Sequence, residues 1–173
     1  TIQDLANAYK SGTLTPIKYI SKILDELEHV NPKVNAVAKF LPRNWILSQA
    51  KESTKRYKNG TSLGPFDGVP ITVKDLESNS TKGVPLTMGL VLPEANIIPD
   101  KSKPHINILQ KQGAIVICST TSCELGFKGT TSSLAYGITR SPHDLTLTSG
   151  GSSGGAGALT ACGIGMINLG SDG

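Results

Sequence analysis

The sequence predicts an α/β fold, because segments with helical periodicity alternate with short apolar runs that are typical of buried strands. Helical patterns occupy most of the first 57 residues. The run 69–73, which reads V-P-I-T-V, is apolar enough to be a buried strand. A helical pattern over 106–112 then leads directly into the apolar run 114–117, and this is the helix-to-strand step of an α/β unit.

Two helices are predicted at the start of the chain, the first ending before Gly12 and the second beginning at Pro16. Thr15 is expected to cap the second helix, because threonine suits the N-cap position and proline suits the first turn. Asn31 and Pro32 are expected to end this helix. The apolar positions at helical spacing are Ile2, Leu5 and Tyr9 in the first helix, and Ile17, Ile20, Leu24 and Leu27 in the second.

The rest of the chain is predicted to contain a strand over 34–40, a third helix over 45–57, and the helix and strands named above. The last forty residues are rich in Gly, Ser and Thr, and the run 150–155, G-G-S-S-G-G, resembles a flexible linker. Small apolar residues follow it as far as Leu169, however. This composition favours a helix and a strand packed inside a core.

Length and composition narrow the class of protein. A chain of 173 residues fits one ordinary domain, and its mean hydropathy of -0.08 is typical of a globular protein. No apolar run reaches the roughly 18 residues that a membrane-spanning helix needs. The net charge of +4 is carried by scattered lysines, which predicts a solvated face and no direct binding to nucleic acid.

Cysteine usage bears on the compartment and on metal binding. The three cysteines Cys118, Cys123 and Cys162 are an odd number and lack metal-ligand spacing. We expect them to be free thiols that behave as small hydrophobic residues, which favours a cytoplasmic protein without a metal site. Two sequons, at Asn59 and Asn79, point the other way, but such short motifs arise often by chance.

Lys74 is the first candidate catalytic residue, because it directly follows the apolar strand predicted over 69–73. On these residues alone, it is either a lysine at a strand edge that extends to water or a buried base. A free lysine has a pKa near 10.4, so a neutral amine at pH 7 costs about 4.6 kcal/mol. Burial shifts a lysine pKa by up to roughly 3–5 units, which is enough to remove that cost.

Ser152 is the second candidate, because it lies inside the glycine-rich run. A phosphate-binding loop would need a lysine within or just after it, and none is present. The run also fits the G-x-S-x-G nucleophile elbow, although the preceding residues 146–149 predict only a weak strand. His29, His105 and His143 are expected at the surface, so a catalytic serine would need another base, and lysine is the candidate.

Four blocks of this sequence resemble the amidase signature family. Residues 64–75 are similar to its G-P-L-x-G-V-P-x-x-x-K-D block, and residues 150–155 match its G-G-S-S-G-G signature. Residues 136–144 are similar to Y-G-x-T-x-N-P-x-D, and residues 170–173 resemble the beginning of G-[ST]-D-x-G-G-S. The blocks occur in the family's order, and the likeness extends over nearly the whole chain.

The resemblance implies a mixed central sheet covered by helices, with residues 1–173 forming the N-terminal portion of a single larger amidase domain. It also implies a Ser-cisSer-Lys triad, in which a cis peptide bond follows Gly151. The implied roles are Lys74 as base, Ser152 as bridging serine, Ser153 and Asp172 as supports of the loop, Gly173 as an oxyanion-hole donor, and Gly126 in the substrate pocket.

The sequence departs from the family pattern in two places. Residues 118–121 read C-S-T-T where the family has G-K-T-N, and Glu124 is followed by leucine instead of phenylalanine. These changes concern the substrate side of the site. The family nucleophile is the serine three places beyond Gly173, so the 173 residues alone are expected to be inactive.

The resemblance leaves three hypotheses for the function. The first is a hydrolase of linear amides that uses an acyl-enzyme and needs no cofactor. The second is the glutaminase subunit of a tRNA-dependent amidotransferase, which works with a partner subunit. The third is a non-catalytic amidase-like module used for assembly. The expected partners are a small amide substrate and either a second copy of the chain or an amidotransferase subunit.

Overall fold

A four-stranded mixed sheet lies at the centre of the structure, a computed structural model that describes residues 1–76, 79–92 and 97–172. The strands, in order across the sheet, are β1 (Val37–Phe40), β3 (Ile115–Thr120), β2 (Pro70–Lys74) and β8 (Ile167–Leu169). β1 is antiparallel to β3, whereas β2 is parallel to both of its neighbours. The predicted α/β class with a mixed sheet is therefore confirmed.

Five α-helices accompany the sheet within the described part of the chain. They are α1 (Ile2–Ser11), α2 (Pro16–Val34), α3 (Arg43–Lys58), α4 (Pro104–Lys111) and α5 (Gly154–Ala161). Helices and sheet share one hydrophobic core, which includes Leu27 of α2, Ile46 of α3 and Ile117 of β3. Each fully buried side chain of this size contributes about 1.5–3 kcal/mol through the hydrophobic effect.

Two short ribbons lie between β3 and α5. β4 (Ser132–Ser133) pairs with β5 (Gly137–Ile138), and β6 (Arg140–Ser141) pairs with β7 (Asp144–Thr148), both in antiparallel fashion. A 3-10 turn at Glu124–Gly126 precedes them. The weak strand predicted over 146–149 thus belongs to β7, whose residues are all exposed.

The predicted end of α2 is wrong, because the helix continues through Pro32 to Val34. Proline removes one backbone donor and crowds the preceding turn, and the helix ends two residues after it. Asn31 accepts the donors that follow: its carbonyl accepts the N–H of Asn35 at 2.8 Å, and its side chain accepts the N–H of Ala36 at 2.8 Å. Because α2 is longer than predicted, β1 begins at Val37 and not at residue 34.

Thr15 is the N-cap residue of α2, as predicted, but its side chain makes no capping contact. Its hydroxyl makes no cap hydrogen bond and is buried without a partner among the described residues. The backbone N–H of Ile17 instead donates to the Thr54 hydroxyl of α3 at 3.1 Å. A tertiary contact thus satisfies a helix donor that the sequence alone assigned to a local cap.

Candidate active site

Lys74 is the last residue of β2, an interior strand whose five residues are all buried. Its backbone pairs with Thr120 of β3, and only 1% of its surface is exposed. Of the two possibilities that the sequence left open, the structure contains the buried lysine. Side chains project out of the plane of a sheet, and the segments that carry Ser152 and Ser171 cover the amine, with their hydroxyls 2.7 and 3.0 Å from the lysine Nζ.

Ser152 lies in the glycine-rich loop between β7 and α5, and the peptide bond between Gly151 and Ser152 is cis. The backbone of Gly151 packs closely against Thr130, and a Cβ at this glycine would lie 2.7 Å from the Thr130 carbonyl carbon. A side chain at position 151 would therefore displace the loop. Gly154 continues the tight packing, because its N–H donates to the Thr131 hydroxyl at 2.9 Å.

Two serine hydroxyls contact the amine of Lys74. The lysine Nζ donates to Ser152 Oγ at 2.7 Å and to Ser171 Oγ at 3.0 Å. The partners are 78 and 97 residues away along the chain, so the fold alone assembles this group. Ser171 is not among the residues predicted from the sequence, although its hydroxyl occupies the [ST] position of the G-[ST]-D block.

Burial lowers the pKa of Lys74 below its ordinary value, because a dry environment disfavours the charged ammonium. The negative charge of Asp172 acts in the opposite direction, because it favours the ammonium. Burial is the larger effect. The amine is therefore neutral in more of the molecules at pH 7 than an exposed lysine would be, and a neutral amine can accept a proton.

Ser153 joins the glycine-rich loop to the segment after β8. Its hydroxyl accepts the N–H of Ser171 and donates to the carbonyl of the same residue, both at 3.1 Å. The pair of hydrogen bonds fixes the backbone from which the Ser171 hydroxyl reaches Lys74. Asp172 is exposed and affects Lys74 through its charge, and Gly173 lies outside the described residues.

A cleft of about 530 Å³ opens beside Ser152. Gly126 lines it in a left-handed conformation, with φ +79°. A Cβ there would lie 2.9 Å from Leu76 Cδ1 and 3.9 Å from Ser152 Oγ, so glycine keeps this side of the cleft open. The other lining residues are Leu76, Leu125, Phe127, Lys128, Gly151, Ser171 and Asp172.

The remaining candidate groups lie apart from this cleft or make no site. His29, His105 and His143 are exposed, and the cysteines at 118, 123 and 162 are free thiols. Within residues 1–76, 79–92 and 97–172, no group of three or more His, Cys, Asp or Glu side chains could hold a metal ion. Over the same ranges, every helix is too short or too polar to cross a membrane.

A buried lysine in contact with two serines does not by itself identify a protein family. The family is identified by comparison along most of the chain. A family model described as Amidase matches residues 18–173. This chain belongs to the amidase signature family. The family predicted from the four sequence blocks is therefore confirmed, and so is its class as a family of hydrolases that act on amides.

Three relatives indicate the range of the family to which this chain belongs. An indoleacetamide hydrolase of Bradyrhizobium diazoefficiens is 38% identical over 169 residues, which cover 98% of this chain and 32% of that protein. An acylamidase of Rhodococcus erythropolis is 34% identical, with coverages of 98% and 35%. A glutamyl-tRNA(Gln) amidotransferase subunit of Sulfolobus acidocaldarius is 32% identical, with coverages of 99% and 34%.

Solved structures agree with this assignment. A bacterial aryl acylamidase of the family superposes with a TM-score of 0.86 at 29% identity, covering 95% of this chain and 34% of that one. A fatty acid amide hydrolase superposes with a TM-score of 0.91 at 27% identity, with coverages of 99% and 30%. The chain therefore spans about a third of the length of the relatives that it matches.

Proposed function

We propose that the full-length protein hydrolyses the C–N bond of linear carboxamides through an acyl-enzyme, with Lys74 as the base and Ser152 as the bridging serine. One observation carries the proposal: the amine of a lysine that is 1% exposed lies 2.7 Å from a serine hydroxyl at the edge of a cleft. Burial lowers the pKa of this lysine, which favours the neutral amine that a base must have.

The proton path follows from these contacts. Neutral Lys74 accepts the proton of Ser152, and Ser152 accepts the proton of the nucleophilic serine as that oxygen bonds to the amide carbon. The nucleophile is the serine that the family motif has three positions after Gly173. The lysine ammonium returns the proton through Ser152 to the leaving nitrogen, and the C–N bond breaks. Water then cleaves the acyl ester along the same path.

The tetrahedral intermediate needs donors for its oxyanion. In the proposed mechanism these are backbone N–H groups that follow Asp172, including that of Gly173, and each such donor is worth about 10²–10³ in rate. Ser153 supports this segment through its two hydrogen bonds to Ser171. Proton transfer among three side chains and backbone donors accounts for the whole reaction, so the proposed mechanism has no cofactor.

The proposed substrates carry an apolar acyl group, because three of the residues that line the cleft are Leu76, Leu125 and Phe127. Two of the relatives are named indoleacetamide hydrolase and acylamidase, which supports amides of this kind. The 173 residues alone are expected to be inactive, since the proposed nucleophile follows them. The activity therefore belongs to the full-length protein.

Acyl transfer to hydroxylamine tests the proposal. The full-length protein is incubated with an arylacetamide and hydroxylamine, and the hydroxamate and free ammonia are measured. An acyl-enzyme gives both products, whereas the Ser152→Ala variant should give at least about 10²-fold less of each. Absence of ammonia release across aryl and alkyl amides would refute the proposed activity, and release of ammonia without hydroxamate would refute the acyl-enzyme.

A second candidate is a glutaminase subunit of a tRNA-dependent amidotransferase. The relatives that match along 99% of this chain include glutamyl-tRNA(Gln) amidotransferase subunits at 32% and 30% identity. Glutamine should then be the preferred amide, and a partner subunit should co-purify. Faster turnover of an arylacetamide by an isolated protein, whether monomer or homodimer, would favour the hydrolase.

A cytoplasmic location forms part of the proposal. Its support is the state of the cysteines: Cys118 and Cys123 are buried, and all three cysteines of the chain are free thiols. Cell fractionation with an antibody to the protein tests it, and recovery in a secreted or lumenal fraction would contradict it.

A further inference from the structure

Asp75 is a buried carboxylate that follows Lys74 directly and is 1% exposed. Four donors surround it. Its Oδ1 accepts the N–H of Thr87 at 2.8 Å, and its Oδ2 accepts the Thr87 hydroxyl at 2.7 Å, the Tyr136 hydroxyl at 2.7 Å and the N–H of Gly89 at 3.3 Å. Burial raises the pKa of Tyr136, so its hydroxyl remains a proton donor.

Hydrogen bonds also hold the backbone of Asp75. Its N–H donates to the Thr120 carbonyl at 3.0 Å, and its own carbonyl accepts the Ser122 hydroxyl at 3.1 Å. The amine of Lys74 has other partners, the hydroxyls of Ser152 and Ser171. The Asp75 carboxylate therefore acts on the segment 87–89 and not on the lysine.

The segment 87–89 lies directly against the 3-10 turn that lines the cleft. The carbonyl of Met88 accepts the N–H of Leu125 at 2.9 Å, and a Cβ on Gly89 would lie 3.1 Å from Glu124 Cα. Met88 and Leu125 both have positive φ, at 55° and 52°. Such angles are uncommon outside glycine and persist only where the surrounding structure enforces them.

We propose that Asp75 is a positioning residue, which holds the segment 87–89 so that this segment fixes residues 125–127, the apolar wall of the cleft. The role belongs to the amide hydrolysis proposed above and rests on that function. The wall holds the acyl group of the substrate equally in the ground state and in the transition state. Loss of its position therefore weakens substrate binding and leaves the chemical step intact.

Asp75→Asn in the full-length protein tests this role. The amide cannot accept at both positions, so at least one donor of Thr87, Gly89 or Tyr136 loses its partner. We expect the KM for an arylacetamide to rise about tenfold or more, with kcat within about threefold of wild type. The KM for acetamide, whose methyl group makes little contact with the wall, should change less.

Asp67→Asn is the matched control. Asp67 is 0% exposed and also accepts several donors, from Arg56 at 2.6 and 2.9 Å and from the N–H of Leu63 at 3.0 Å, but it precedes β2 whereas Asp75 follows it. The two variants should lose comparable stability, and only Asp75→Asn should raise the KM. Tyr136→Phe removes one of the four donors to Asp75, together with the contact between its hydroxyl and that of Thr87. It should raise the KM in the same direction by a smaller factor, which provides a test if Asp75→Asn folds poorly.

Hydrogen exchange separates this role from the activity itself. In Asp75→Asn the Leu125 amide should exchange at least about tenfold faster than in Asp67→Asn, while core amides of β2 stay equal in the two variants. Equal exchange of Leu125 in both variants, or a fall in kcat without a rise in KM, would overturn the role of Asp75. If wild type hydrolyses no amide, the proposed function fails, and exchange at Leu125 alone decides whether Asp75 positions the wall.

Discussion

Replacement of Lys74 by methionine tests the centre of the proposed mechanism. Methionine resembles the apolar stem of lysine in length and is suited to a buried position, so the variant should fold. It removes the amine that lies 2.7 Å from Ser152 Oγ and 3.0 Å from Ser171 Oγ. The proposed proton path then has no acceptor, and amide hydrolysis should fall without a comparable loss of substrate binding.

The expected magnitude follows from the chemistry of the lost group. A positioned general base contributes about 10²–10⁴ in rate, which corresponds to about 3–5 kcal/mol of transition-state stabilisation. Ser152 also loses the partner that orients its hydroxyl, so we expect kcat to fall at least about 10³-fold. The KM should stay within about threefold of the wild-type value, because the lysine contacts serines and not residues 125–127, the apolar wall of the cleft.

The pH dependence has a defined sign. Only neutral Lys74 accepts a proton, so log kcat/KM of the wild type should rise with pH and level off above the pKa that burial has lowered.

The stability of the fold should also depend on pH through Lys74. Between the lowered pKa and about 10.4, the lysine of the unfolded chain binds more protons than the buried lysine does. Lys74→Met should therefore be more stable than wild type at neutral pH, and this advantage should disappear as the pH approaches 10.4.

Two controls distinguish a base from a structural cation. Lys74→Arg keeps the positive charge but cannot lose its proton at these pH values, so it should be as inactive as Lys74→Met. Lys55→Met, which changes an exposed lysine paired with Glu52 on α3, should keep wild-type kcat. Steady-state kinetics of the full-length variants measure all three. Substantial turnover by Lys74→Met or Lys74→Arg would refute the reasoning.

Three further variants test other contacts, two at the candidate site and one at the buried ion pair that precedes β2. Ser171→Ala removes the second hydroxyl at 3.0 Å from the lysine, worth about 1 kcal/mol, and should lower kcat about fivefold; an unchanged kcat would mean that this contact has no catalytic role. Gly126→Ala places a Cβ on a backbone with φ +79°, at 2.9 Å from Leu76 Cδ1. The free energy of unfolding in urea should fall by about 1–2 kcal/mol, and the KM for bulky amides should rise. An unaltered KM would contradict the placement of the pocket. Arg56→Met leaves the Asp67 carboxylate buried without its ion-pair partner. Because the Arg56 side chain is 27% exposed, the free energy of unfolding should fall by about 3 kcal/mol, the lower end of the range for buried pairs. A fall below about 1 kcal/mol would contradict that account.

Local boundaries were the least predictable part of the fold. The sequence placed the end of α2 at Asn31 and Pro32, yet the helix continues to Val34 because the Asn31 side chain accepts backbone donors beyond it. Thr15 occupies the N-cap position as expected, but a hydroxyl of α3 satisfies the backbone donor of Ile17 in place of the Thr15 side chain. In both cases, hydrogen bonds formed in the folded state replaced the pattern that local propensity favours.

The residues of the candidate site also fall into two groups, those that the sequence identified and those that only the structure identified. Lys74 and Ser152 could be named from the sequence, because a lysine ending an apolar strand and a serine among glycines are unusual and match family blocks. Ser171 and Asp75 could not be given their roles, because their partners are distant in sequence: Ser171 meets a lysine 97 residues earlier, and Asp75 meets Tyr136, 61 residues later. No periodicity or spacing encodes such contacts.

The sequence by itself determined the class of fold, the family and the two residues most central to the proposed chemistry, since apolar periodicity and glycine-rich motifs are properties of neighbouring residues. The tertiary structure alone decided whether Lys74 faces water or a dry interior. Its amine is buried because the segments carrying Ser152 and Ser171, which are distant from Lys74 in sequence, cover the end of β2. Burial is a collective property of distant segments, and it is what makes a lysine fit to act as a base.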